Sequence, residues 1–235
     1  MKTYYSKTGP LAERVFYTDN DVEEMCTGEL AKLGLMPKAP EPINIERFVE
    51  KRFGFYDFQN LDDGVLGFTK FSSRGVEEIV ISRSLGEENT KISNRRVRTT
   101  LAHEAGHALF HGHLFALAGM DHRSLFADPA HDERPRILCR EVKDGEGTHK
   151  PQNNWWEIQA NMAIGALLLP RRVFEEAVRP FLDQAGSFFG SAHLDETRRE
   201  EAARALADVF DVNPAVVRIR LAQLFPSSMR SQGSF

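Results

Sequence analysis

The five residues His103-Glu104-Ala105-Gly106-His107 constrain this chain more than any other stretch. They lie in RRVRTTLAHEAGHALFHGH, where Val97, Leu101, Ala105 and Leu109 recur at helical spacing and Ser93 or Asn94 marks the start. On a helix, positions i and i+4 lie about 40° apart and one turn on. Two imidazoles so placed reach one metal ion, with Glu104 projecting beside it. Zinc suits imidazole nitrogen, and a site with three protein ligands leaves a coordination position for water. Zinc lowers the pKa of that water toward ~7, and a neighbouring carboxylate takes its proton during attack on a carbonyl. Gly106 costs about 1 kcal/mol against alanine inside a helix, so it marks the close approach of another segment.

Two residues compete as third ligand. His113 sits ten positions after His103, but that three-histidine pattern needs glycine at position 110, which is Phe110 here. An unbroken helix would put residue 113 about 80° off and some ~15 Å along from His103. Glu157 follows His107 by 50 residues, on a helix read from NWWEIQANMAIGALLLP. A carboxylate near Trp156, Ile158, Ala160, Met162 and Ala163 is costly unless paired or metal-bound. The competing reading is a surface glutamate favoured by the helix dipole. Asn161, one turn later, is placed to orient a ligating histidine by accepting its second ring N–H.

Composition bounds the class. The chain has 235 residues, 41% hydrophobic and 27% charged, which is ordinary for a soluble globular protein. The apolar run Met162–Leu169 falls far short of the ~20 residues of a membrane span. MKTYYSKTGPLAERV lacks the apolar region of a secretory signal. Cys26 and Cys139 make neither a disulfide framework nor a four-cysteine metal site, so a cytoplasmic location is expected. The net charge of −4 and pI of about 6.1 argue against a dedicated nucleic-acid binder.

Residues 1–18 read as a flexible tail, 19–182 as the core and 183–235 as a C-terminal helical segment. Asp19 or Asp21 starts a first helix; INIERFVEKRF forms a second, with Asn44 as cap and Gly54 as stop. VLGFTKF (65–71) and VEEIVIS (76–82) read as a hairpin with a four-residue loop. Residues 117–153 form a long polar insertion, read as a lid, with one strand-like run at 137–139.

RRVRTTLAHEAGHALFH followed by EIQANMAIGALLLP resembles the ImmA/IrrE family of bacterial metallo-endopeptidases. There an arginine-led helix carries HExxH, and a later helix carries E-x-x-A-N/D ahead of a leucine-rich run and a proline. The likeness covers roughly residues 20–225. This chain departs from the family in having Ala163 and Ile164 where Phe-Ala is common, and in its long insertion. The resemblance implies His103, His107 and Glu157 as zinc ligands and Glu104 as catalytic base. It implies an α+β fold with a zincin-like (gluzincin-like) core, in which a small antiparallel sheet packs on the HExxH helix. It implies as substrate a partner helix-turn-helix repressor, whose cleavage relieves repression in mobile elements or stress responses.

Other residues carry further expectations. His111 is either an oxyanion stabiliser or a plain helix-end histidine. Cys139 is either a small buried thiol or a thiolate that occupies the open zinc position and keeps the enzyme latent. Arg95, Arg96 and Arg98 read as solvated surface, or as partners of the insertion or substrate. The final segment reads as two amphipathic helices across a short turn. Residues 191–235 hold six acidic and six arginine side chains, and Arg218 and Arg220 alone are offered to phosphates by the last helix, which argues against direct DNA binding. The strand 76–82 is expected at a sheet edge, where an extended substrate can pair. The rival readings are a regulatory DNA- or repressor-binding protein with structural zinc, and a toxin–antitoxin component.

Overall fold

Local signals set most element boundaries. The computed structural model describes residues 2–5, 13–72, 74–121, 136–140, 155–182, 194 and 196–226. Strands β1 (Lys2–Tyr5) and β2 (Glu13–Phe16) precede helices α1 (Asp19–Lys32) and α2 (Ile45–Phe53). Strands β3 (Asp57–Gln59), β4 (Val65–Ser72) and β5 (Gly75–Ser82) follow, then α3 (Arg83–Gly86) and α4 (Lys91–Asp121). The chain continues through β6 (Arg136–Arg140), α5 (Trp155–Leu168), α6 (Arg171–Val178), α7 (Glu196–Val209) and α8 (Pro214–Leu224). The architecture is α+β. Among the described residues, no helix is long and apolar enough to cross a membrane.

Thr18, rather than Asp19 or Asp21, caps α1: its hydroxyl accepts from the Asp21 backbone N–H, and the Asp21 carboxylate accepts from that of Thr18. Asn44 caps α2 by accepting from the Arg47 N–H at 2.7 Å. Gly54 ends α2 at φ 105°, a backbone conformation that disfavours any side chain.

The principal sheet has the order β3-β5-β4-β6. β4 pairs antiparallel with β5 and β6, but β3 runs parallel to β5, so the sheet is mixed and not the antiparallel sheet expected. The link from β3 to β4 leaves a strand's width between them, and β5 folds back into it. β5 is therefore interior, and the expectation that 76–82 forms an edge is corrected: the edges are β3 and β6. The N-terminal stretch read as a tail carries a second, two-stranded antiparallel sheet, and Val15 and Tyr17 are buried. The strand-like run at 137–139 lies in β6, while most of the remaining insertion, and 183–193, lie outside the described residues.

One face of the sheet packs on α4, with Phe71, Ile79 and Ile81 wholly buried. α4 is longer than its expected span and takes in the first residues of the insertion. Its other side meets α5 so closely that a Cβ on Gly106 would lie 2.7 Å from Ala163 Cβ and 3.0 Å from Ala160 Cα. Gly106 therefore lets the two backbones approach, as its cost in a helix implied.

The C-terminal helices are bound to this core by buried charge. Arg220 on α8 is 2% exposed. Its guanidinium donates to Glu23 of α1 and, at 3.1 Å, to the Leu169 carbonyl. Glu23 also accepts from the Arg171 N–H at 2.6 Å. At the start of α4, Arg95 pairs with Asp208 (2.8 Å) and Asp211 (2.9 Å), and Arg98 pairs with Asp211 (3.2 Å). These arginines are thus neither solvated surface nor, in these contacts, partners of the insertion.

Gly106→Ala is expected to lower unfolding stability by about 1–3 kcal/mol through overpacking. Gly28→Ala is the control. Gly28 lies within α1 with nothing within 4 Å of its added Cβ, and the change should stabilise by about 0.5–1 kcal/mol. Urea denaturation of the two variants checks both signs.

Candidate metal centre

α4 supplies His103, Glu104 and His107 from consecutive turns, and α5 brings Glu157 across the Gly106 contact. The Nε2 atoms of His103 and His107 lie 3.0 Å apart. Glu157 places Oε2 3.3 Å from His103 Nε2 and Oε1 3.5 Å from His107 Nε2. The ligand atoms of His103, His107 and Glu157 all lie within 4.8 Å of one another. His103, Glu104 and Cys139 form a second such group, sharing His103. Sets of this kind can hold a metal ion.

The direction of each hydrogen bond near His107 follows from one backbone group. The Val15 carbonyl can only accept, and it takes a bond from Gln159 Nε2 at 2.6 Å. Gln159 Oε1 therefore faces His111, whose Nε2–H donates to it at 3.0 Å. Burial holds His111 and His107 neutral, with pKa values lowered to about 3 and about 4. A neutral His111 then accepts at Nδ1, and His107 donates to it from Nδ1 at 3.1 Å. His107 is left with a lone pair on Nε2, aimed at His103 and Glu157.

His103 is set in the same sense. Its Nδ1 lies 3.0 Å from Asn161 Oδ1, an acceptor, so Nδ1 carries the hydrogen and Nε2 turns toward the site. Two imidazole nitrogens and a carboxylate thus converge, and a positive charge must lie among them. A proton can serve: burial opposes charge on His103, but the Cys139 and Glu157 side chains outweigh it and raise its pKa well above the usual value. Burial likewise opposes charge on Glu157, and the protonated His103 beside it outweighs this and holds its carboxyl at about 2. A metal cation fits the same acceptor set without any proton. The donor chemistry of the site therefore fits a metal ion.

Glu104 is fully buried beside this cluster. Its Oε2 lies 2.7 Å from the Thr69 hydroxyl on β4, and its Oε1 has no hydrogen-bond partner among the described residues. Burial pushes its pKa up to about 7, against the pull of His103 and Thr69. A carboxyl with one free oxygen and a pKa near neutrality is suited to exchanging protons.

His103, Glu104, His107, Glu157, Asn161, His111 and Cys139 are brought into one region. His113 is not: α4 continues unbroken, and His113 is exposed on it. His111 is no helix-end residue but lies inside α4, wholly buried. Sequence reading missed Thr69 and Gln159. Gln159 carried a signal, since it is a polar residue on a largely apolar helix two positions after Glu157. Thr69 carried none, being one hydroxyl in an alternating strand.

No family model, no curated protein and no solved structure matches the chain.

Divalent-metal titration by calorimetry checks the geometry. Glu157→Ala should abolish tight binding, and His113→Ala should leave it unchanged. His111→Ala and Gln159→Leu should each weaken it by about 10–100-fold, the usual effect of losing a group that orients a ligand.

Proposed function

We propose that this chain is a zinc-dependent endopeptidase of the ImmA/IrrE kind that cuts a partner helix-turn-helix repressor and so relieves repression. The reading rests on one observation above all. Three ligand groups converge on a point beside a buried carboxylate whose Oε1 has no hydrogen-bond partner among the described residues. A purely structural site has no need of that second carboxylate. In this reading the site is a two-histidine, one-glutamate zinc centre in a zincin-like core.

Zinc, when bound, polarises a carbonyl and acidifies water. The remaining work belongs to the chain's own residues. His103, His107 and Glu157 hold the ion, and Asn161 and His111 keep the two imidazoles turned toward it. Glu104 takes a proton at Oε1 and returns it to the leaving amine, while Thr69 pins its Oε2. β6, the sheet edge that carries Cys139 beside His103 and Glu104, offers a place for an extended substrate to pair.

Two contacts favour this reading over the regulatory DNA binder. Arg220 is buried against Glu23, and Arg218 is engaged by Glu200 at 2.7 Å and 2.8 Å. Arg220 is therefore not free for phosphates, and Arg218 meets them only by giving up Glu200. α7 and α8, the helix-turn-helix-like segment, serve in this reading to brace the core or dock the substrate.

The purified, zinc-loaded protein should cleave a helix-turn-helix repressor encoded beside it, with products read by mass spectrometry. Glu104→Gln should keep its zinc and lose cleavage by at least about 100-fold, as expected for a general base. Cleavage by Glu104→Gln at the wild-type rate would overturn the mechanism. Tight binding of bare operator DNA with no cleavage would favour the regulator instead.

A further inference from the structure

Cys139 is the reactive side chain at this site that the proposed mechanism leaves without work. It lies on β6 with Gly67 of β4 as its Cα partner. Residues opposite one another in an antiparallel pair put their side chains on the same face. Gly67 contributes none, and a Cβ there would come within 3.2 Å of Glu104 Oε1 and 2.8 Å of the Val80 carbonyl. The face of the sheet that meets Glu104 is thus cleared on β4 and supplied with a thiol from β6. Ile137, two residues before Cys139 and on the same face, is buried.

A second observation points to a ligand at this spot. Glu104 Oε1 is fully buried and unpartnered among the described residues, and the Glu104 carboxylate belongs to the same group of ligand atoms as Cys139 Sγ and His103. The thiol therefore adjoins the metal cluster on the side of the catalytic carboxylate, where a substrate carbonyl would enter. The other thiol, Cys26, is wholly buried in the core on α1.

We infer that Cys139 is a fourth, displaceable ligand, whose thiolate closes the zinc site in the resting protein. Thiolate is a better zinc ligand than water. As the S–H bond breaks and the sulfur–metal bond forms, the proton passes to water. Displacement by a substrate carbonyl reverses this: the sulfur–metal bond breaks and sulfur takes a proton back from water. The resting site is thus blocked, with its open position filled by sulfur. A substrate pairing along β6 lies against the strand that holds the thiol, so docking and unblocking are coupled. The inference rests on the His103, His107 and Glu157 zinc site proposed above.

Cobalt(II) titration of the metal-free full chain tests it, because sulfur bound to cobalt gives a charge-transfer band in the near ultraviolet that nitrogen and oxygen ligands do not. The wild type should take up one cobalt per chain and show the band. Cys139→Ser should take up one cobalt and lose the band, with cobalt affinity lower by about tenfold or more. One cobalt in each protein with no band in either would overturn the inference and leave the two-histidine, one-glutamate site standing. A band that persists in Cys139→Ser would also overturn it. Failure of both proteins to bind cobalt or zinc would remove the metallopeptidase reading together with the inference.

Discussion

The approach of α4 and α5 at Gly106 is the contact on which the site depends. Two ligands on one helix come at no tertiary cost, since helical geometry alone puts His103 and His107 side by side. The third must arrive from elsewhere, and it arrives because Gly106 has no Cβ to hold Ala160 and Ala163 away. Any residue larger than glycine pushes α5 outward, and Glu157 travels with it. A ligand constellation must be kept to within roughly 0.5 Å of its productive geometry. The least favourable helix residue short of proline is therefore retained at the point where separation matters most.

Separation alone does not aim a ligand. Orientation comes from a chain of buried hydrogen bonds that begins at a backbone carbonyl on β2 and ends at the Nε2 lone pair of His107. Each member has a single role left to it once the preceding one is set, so the N-terminal strand determines which nitrogen of a distant imidazole is bare. Thr69 does similar work for Glu104 from the sheet, engaging one carboxylate oxygen and leaving the other. Apolar packing thus sets where the groups are, and hydrogen bonding sets which way they face.

The parts of this arrangement legible in the sequence are those with a local signature. His103, Glu104 and His107 are written in helical spacing, Glu157 stands out as a carboxylate on an apolar helix, and Asn161 follows it by one turn. The caps Asn44 and Gly54 are local in the same sense. What escaped was pairing at long range. Gln159 meets Val15 across 144 positions, and Arg95 meets Asp211 across 116. Nothing in the neighbourhood of either residue names its partner. The mixed sheet escaped for a related reason: β3 is three residues long, too short for an alternating pattern to show, yet its direction makes the sheet mixed and its pairing with β5 decides which strands are edges.

The ion pairs of the C-terminal helices bear on how such a protein comes into being. Glu23 waits through 197 further positions for Arg220, and Arg95 on the helix of His103 and His107 waits for Asp208 and Asp211. A buried charge deprived of its partner costs about 3–5 kcal/mol, a large part of the ~5–15 kcal/mol by which a typical domain is stable. A nascent chain released from the ribosome as far as α5 has every ligand of the centre but not the charges that make its scaffold stable. Stable formation of the site is therefore deferred until translation has reached α8, and a chain ended short of it carries the candidate ligands on a weakened scaffold.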